Sequence, residues 1–287
     1  AEQLLVDLKK KSTLITPAKF KDAFVNKTPS FNEYFRKFMD VKTGRTKEIY
    51  HATIVRFEKF RAQEVSFEEV NYSFLQSFDQ YLQKENAAVN GRAIHFRNIR
   101  AVFNQAINED LISLSLYPFR KFKIKRENTI KRSASVEKIR ALFSYQGSEM
   151  EEQSKDVTML IFFLIGINVK DLFLLQNTTS DEIEYRRSKT SAIISVQIEP
   201  ETEALIQKYK GENYLMRFAE HYVNHHNFGK MINKHLKIIG TAIGIPNLTT
   251  YVLRHSWATI AAELEIPKET IGAALGHSQH SSITDVY

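Results

Sequence analysis

Aromatic residues recur at helical spacing through the first third of this chain, and that period constrains the fold more than any other feature. Phe31, Tyr34, Phe35 and Phe38 stand at i, i+3, i+4 and i+7, after a Ser30 that can cap a helix. Lys42-Thr43-Gly44-Arg45 breaks the pattern, and Tyr50, Ile54, Phe57 and Phe60 resume it. Asn71 can cap a third run, carrying Phe74, Leu75, Phe78, Tyr81 and Leu82. Asn90-Gly91 reads as another break, before Phe96, Ile99, Phe103 and Ala106 or Ile107. Each run predicts a helix with one apolar face, and four such helices bury those faces as a small bundle.

The second half is mixed. Ser135 can cap a helix through Val136, Ile139, Leu142 and Phe143, and the apolar run Val157 to Ile167 predicts a core helix. Glu182 to Arg187 and Ala192 to Ile198 are β-rich runs around Ser188-Lys189-Thr190-Ser191, a hairpin pattern. Pro200 opens a helix through Lys208. Phe228 to Ile239 predicts another, closed by Gly240, and Thr249 or Thr250 caps one through Leu264 with Leu253, Trp257, Ile260 and Leu264 inward. Pro267 begins the last predicted helix and Gly276 ends it. At 287 residues, roughly 150 per domain predicts two domains. The expected fold is mainly α with a small β-hairpin: a helical bundle over 1–118, a basic linker over 119–132, and an α+β domain over 133–287.

Charge divides the chain unevenly. Residues 1–132 carry 25 lysines and arginines against 15 acids, whereas residues 133–287 carry 15 against 18. A basic N-terminal half suits a polyanion, most commonly nucleic acid. Phe119 to Arg132 holds seven cations and one anion, Glu127, with apolar residues interleaved; Lys121, Lys123 and Lys125 suit a phosphate backbone there. Arg97 and Arg100 share one side of the fourth predicted helix, and Lys230, Lys234 and Lys237 form a cationic stripe at i, i+4 and i+7. The longest apolar stretch falls short of the roughly 20 residues a membrane helix needs. Asp7 cuts off Leu4-Leu5-Val6, so no signal peptide is expected either.

The chain lacks cysteine, which excludes disulfides, thiolate metal sites and a cysteine nucleophile. P-loop, G-x-G-x-x-G, G-x-S-x-G and H-E-x-x-H patterns are absent. His225-His226 reads as a loop pair without the spacing of a metal site. The last forty residues stand apart. Tyr251 and Arg254 lie three apart on a predicted helix, His277 follows a helix-ending glycine, and Tyr287 comes ten residues later. An arginine, a histidine and a tyrosine, after a basic bundle, point to phosphoryl transfer to tyrosine.

Arg254-His255-Ser256-Trp257-Ala258-Thr259, Leu275-Gly276-His277-Ser278 and the terminal Tyr287 resemble the motifs of the tyrosine recombinases of the phage-integrase type, and most closely the integrases of Bacteroidetes mobile elements. Arg187-Ser188-Lys189-Thr190 is similar to the segment carrying that family's catalytic lysine, and Tyr117-Pro118-Phe119 to the exit of its core-binding domain. The resemblance implies a core-binding bundle and a catalytic domain clamped on double-stranded DNA. It implies a homotetramer on DNA from a protein monomeric without it, accessory DNA-bending proteins as further partners, and a bacterial cytoplasmic, nucleoid-associated location. It also implies a transesterification in which Tyr287 forms a 3′-phosphotyrosyl bond, Arg254 and His277 hold the phosphate, and Lys189 protonates the leaving 5′ oxygen. Bond energy is conserved, so no cofactor and no metal is expected.

Two positions depart from the family pattern. Tyr251 replaces the usual histidine three before the arginine, and Asn168, in Gly166-Ile167-Asn168-Val169-Lys170-Asp171, takes the place of the usual first arginine. Lys155 is the first candidate for a substitute cation, with Lys170, Arg186 and Arg187 also near in sequence. The alternatives to an active recombinase are a DNA-binding protein on the same scaffold, disarmed at Asn168 and Tyr251, and a helical transcription regulator with no use for Tyr287.

Overall fold

The computed structural model describes residues 29–128, 132–176 and 181–277, so Tyr287 and the segment after His277 lie outside the described residues. The chain forms two compact units divided between residues 129 and 130, within the basic stretch.

The first unit is a bundle of α1 (Phe31–Asp40), α2 (Gly44–Phe60), α3 (Tyr72–Lys84) and α4 (Val89–Asn108). Two caps act as the sequence predicts. Ser30 Oγ accepts from the Glu33 N–H at 3.0 Å, and Asn71 Oδ1 accepts from the Phe74 N–H at 3.0 Å. The core is aromatic: Phe31, Phe35, Phe57, Phe78 and Phe103 are fully buried, with Phe31 and Phe57 ring centroids 5.0 Å apart. Each such ring pair adds about 0.5–1.5 kcal/mol beyond the area it buries.

Asn90-Gly91 does not break the chain; both lie in the first turn of α4. There Asn90 has another use. Its amide donates to the Glu127 carbonyl at 2.8 Å and its oxygen accepts from the Glu127 N–H at 3.2 Å. Phe119 and Phe122 are buried in the same core, and Phe122 lies 4.7 Å from Phe96 between centroids. The basic stretch is therefore strapped to the bundle as far as Glu127, with Lys121, Lys123 and Lys125 exposed along it.

The second unit is built around α6 (Glu149–Phe163), with α5 (Val136–Phe143), α8 (Pro200–Lys208), α10 (His225–Ala242) and α11 (Thr250–Glu263) packed against it. The short α7 (Val169–Phe173) follows α6, α9 (Phe218–His221) precedes α10, and α12 (Lys268–Ala274) closes the described chain. Strands β1 (Glu182–Arg186) and β2 (Ile193–Gln197) form the antiparallel hairpin, with Ile183 opposite Val196 and Tyr185 opposite Ile194.

Four expectations need correction here. The core helix starts at Glu149, eight residues before Val157, because the Glu151 carboxylate accepts from the Ser148 N–H at 2.8 Å and fixes that terminus. His225-His226 is the first turn of α10, since Asn224 Oδ1 accepts from the His226 and Asn227 N–H groups at 3.0 Å each. Gly240 lies inside α10, where a Cβ would come within 2.5 Å of the Ile245 carbonyl oxygen; close approach, not termination, requires it. Leu264 caps α11 and is 70% exposed, while Val252, Leu253, Ala258 and Ala261 face inward.

Candidate active site

Helix α11 buries one charged side chain, which has no place in an apolar core. Arg254 is 5% exposed and spans two element ends: Nη1 donates to the Gly166 carbonyl at 2.5 Å and Nη2 to the Leu275 carbonyl at 2.6 Å. Gly166 follows the end of α6 and Leu275 the end of α12, so one guanidinium ties together carbonyls at two helix C-termini. Tyr251, one turn earlier on α11, is exposed, with its ring edge-on to His255 at 4.4 Å.

The hairpin reaches the same place from the other side. Arg187, directly after β1, is buried and donates through Nη1 to the Gly276 carbonyl at 2.5 Å; Thr190 Oγ1 donates to the same oxygen at 2.9 Å. Ser188 donates its N–H to Asp171 Oδ1 at 3.0 Å, which fixes the turn carrying the exposed Lys189. His277 follows Gly276, its own N–H bonded to the Gly272 carbonyl at 2.8 Å. Burial, then the charges of Arg254, Arg187 and Lys189, then His255, push the His277 pKa down to about 4, so the imidazole is neutral at pH 7. Tyr185 is pushed the other way, up to about 12, by burial and by Asp171 against the opposing pull of Arg254 and Arg187.

Arg254, Tyr251, Lys189 and Asn168 line one cleft of about 770 Å³. Lys170, Lys230, Lys234 and Lys237 line it too, and Asp171 is the sole acid among the lining residues. The α10 lysine stripe thus faces the same cavity as the α11 arginine. Such a concentration of cations favours a polyanion.

Lys155 is not at this cleft. It is buried on α6, where Nζ donates to the Tyr145 carbonyl at 2.8 Å and to Glu152 at 2.5 Å. It lies eight residues, roughly 12 Å of helix, before the end at which Arg254 is held. Arg186 is exposed and turned to the Ser191 carbonyl. Of the cations near Asn168 in sequence, Lys170 lines the cleft and Arg187 is buried beside His277. Sequence reasoning misses Asp171 as a site residue, although its place three after Asn168, one helical turn on, is a usable signal.

In the first unit Arg97 and Arg100 are half-buried on α4, and the charges of Arg126 and Arg100 both act on Arg97. Lys125 comes within 3.9 Å of Asp79, whose carboxylate is already held by Arg92 at 2.8 Å. Among the described residues no group of three or more histidines and acids is placed to hold a metal ion, and no helix is long and apolar enough to cross a membrane.

Comparison with known proteins places this architecture. Residues 30–124 match the profile of the phage integrase SAM-like domain. No curated protein sequence is matched. Among solved structures, the Tn1549 transposon integrase in complex with a circular intermediate DNA is 16% identical and matches at a TM-score of 0.73, over 89% of this chain and 93% of that one. A lambda integrase dimer bound to a COC′ core site is 14% identical at a TM-score of 0.71, over 90% and 95%. A lambda integrase tetramer bound to a Holliday junction is 13% identical at 0.68, over 96% and 86%. The mainly helical chain with its two-stranded sheet has the integrase fold of the lambda and Tn1549 proteins.

Proposed function

We propose that this chain is a site-specific DNA recombinase that cuts and rejoins double-stranded DNA through a 3′-phosphotyrosyl intermediate, integrating or excising a bacterial mobile element. The observation that carries the reading is that Arg254 and Lys189 line one cationic cleft while Arg254 and the hairpin's Thr190 both bond the turn that precedes His277, in a chain with an integrase fold.

The chemistry follows from those positions. The Tyr287 oxygen attacks the scissile phosphorus, and the bond to the 5′ oxygen breaks. A phenol has a pKa near 10, so nearby cations are needed to favour its phenolate. Arg254 presents a planar fork to the non-bridging oxygens, where negative charge grows in the transition state. His277, held neutral, donates one N–H to the phosphate without adding a charge that must first be desolvated. Lys189, at an exposed hairpin tip, gives its proton to the leaving 5′ oxygen. Reversal by a 5′-hydroxyl of the partner duplex rejoins the strands. Arg97, Arg100, Lys121, Lys123 and Lys125 contact backbone phosphates from the first unit, and Lys230, Lys234 and Lys237 from the second. A homotetramer assembled on DNA, with DNA-bending partners, completes the reading.

A second reading has its own support. Asn168 occupies the cleft where the resemblance expects an arginine, and both terminal nitrogens of Arg254 are engaged by carbonyls. A disarmed DNA-binding protein would keep the lysines and lose the reaction. Incubation with nicked duplex carrying the element's end separates the two. The recombinase becomes covalently attached to DNA, whereas binding without attachment establishes the disarmed form.

A further inference from the structure

We propose that Arg187 is a positioning residue of this site, its buried guanidinium clasping, together with that of Arg254, the turn from which His277 projects. The inference rests on the recombinase reading, in which His277 holds the scissile phosphate.

The two arginines come from different elements and take successive carbonyls of one turn: Arg254 that of Leu275, Arg187 that of Gly276. Thr190 adds a second donor to the Gly276 oxygen. The turn is shaped for this grip. Gly276 has φ +62°, and a Cβ there would lie 2.9 Å from Arg187 Cδ, so the arginine stem packs directly on the glycine. Arg187 is 6% exposed and makes no ion pair with a carboxylate among the described residues, and its Nε is buried without a hydrogen-bond partner. Burying a guanidinium with only carbonyls for company is costly. A purely structural link between hairpin and turn would be served as well by Thr190 and an apolar neighbour. The retained charge therefore has a use at the site. It supplies a second guanidinium beside Arg254 in a chain whose position 168 is asparagine.

The groups whose charges act on His277 are Arg254 and His255 from α11 and Arg187 and Lys189 from the hairpin. Arg187 thus orients the imidazole through the Gly276 carbonyl and helps to keep it unprotonated until a phosphate arrives.

The test compares Arg187→Gln and Arg187→Lys with wild type in two measurements: NMR titration of the His277 ring in the DNA-free protein, and single-turnover cleavage of nicked duplex alongside its Kd. Arg187→Gln should raise the His277 pKa and slow cleavage on the order of a hundredfold, with Kd changed less than about threefold. Arg187→Lys, which keeps the charge without the planar fork, should leave the His277 titration near wild type and slow cleavage about tenfold. A folded Arg187→Gln protein with an unmoved His277 titration would overturn the proposal. Should the glutamine variant not fold, wild-type cleavage by Arg187→Lys overturns it instead. The titration needs no cleavage. A shifted His277 in a protein that never attaches to DNA upholds the clasp and sinks the recombinase reading separately.

Discussion

Asp171 Oδ1 accepts the backbone N–H of Ser188 at 3.0 Å, so a carboxylate on the five-residue α7 fixes the turn that carries Lys189. Asp171 is buried, and the bond joins positions seventeen residues apart. Removing the acceptor leaves the Ser188 N–H without its partner, at a cost of about 1–3 kcal/mol. Asp171→Ala should destabilise the second unit by that amount in urea denaturation and speed amide exchange at Ser188. Asp171→Asn, which keeps an acceptor oxygen, should recover most of the loss.

Arg254 ties two helix ends together and, in the proposed reaction, also holds the scissile phosphate. Arg254→Ala abandons the Gly166 and Leu275 carbonyls together and should lower both stability and cleavage. The loss in cleavage should be roughly a hundred- to a thousandfold. Arg254→Lys keeps the charge but cannot span both carbonyls, so it should lie between the two in cleavage rate while binding DNA normally. Single-turnover cleavage beside thermal melting reads both effects.

Stability should fall on the acid side. His95 and His277 have pKa values pushed from 6.5 to about 4, in each case chiefly by burial. The folded state therefore binds fewer protons than the unfolded chain between those limits. The stabilisation is present above about pH 6.5 and is lost as pH falls toward 4. His95 accepts or donates at 2.9 Å to Thr53 Oγ1 inside the first unit, and His95→Gln should flatten that unit's pH dependence. Melting curves between pH 4.5 and 7.5 check it, and an unchanged slope in the variant would contradict the assignment.

Much of the fold is legible in the sequence because local chemistry sets it. Ser30, Asn71 and Pro200 start helices where capping rules place them, and the aromatic periods mark the buried faces of α1 to α4. Some positions mislead through a cap close by, as at Ser148 and Asn224, and others through a partner further along the chain. Asn90 reads as a breaker until Glu127 is seen to need it, and Gly240 reads as a stop until Ile245 and Leu248 are seen against it. The candidate site divides in the same way. Arg254, His277 and Lys189 are visible as motif residues. That Arg254 is clamped by Gly166 and Leu275, that Arg187 shares the turn, and that Lys155 is held by the Tyr145 carbonyl depend on neighbours that only the packed chain supplies.

The exposed lysines of the basic stretch should dominate the salt response of DNA binding. Lys121, Lys123 and Lys125 are exposed beside a segment strapped to the bundle by Asn90. Replacing all three with glutamine should reduce the slope of log K against log salt by about 0.9 for each phosphate that these lysines neutralise. An unchanged slope would remove this segment from the interface.

In the proposed reaction DNA becomes bonded to the oxygen of Tyr287. The most direct measurement is covalent trapping on a nicked duplex that bears the element's own end, followed by mass spectrometry of the attached peptide. A 3′-phosphotyrosyl adduct is expected at Tyr287 in the wild-type protein. None is expected in Tyr287→Phe, which should still fold and bind the same duplex with unchanged affinity. An adduct that persists in Tyr287→Phe, or a wild-type protein that binds this duplex and never attaches to it, would contradict the account.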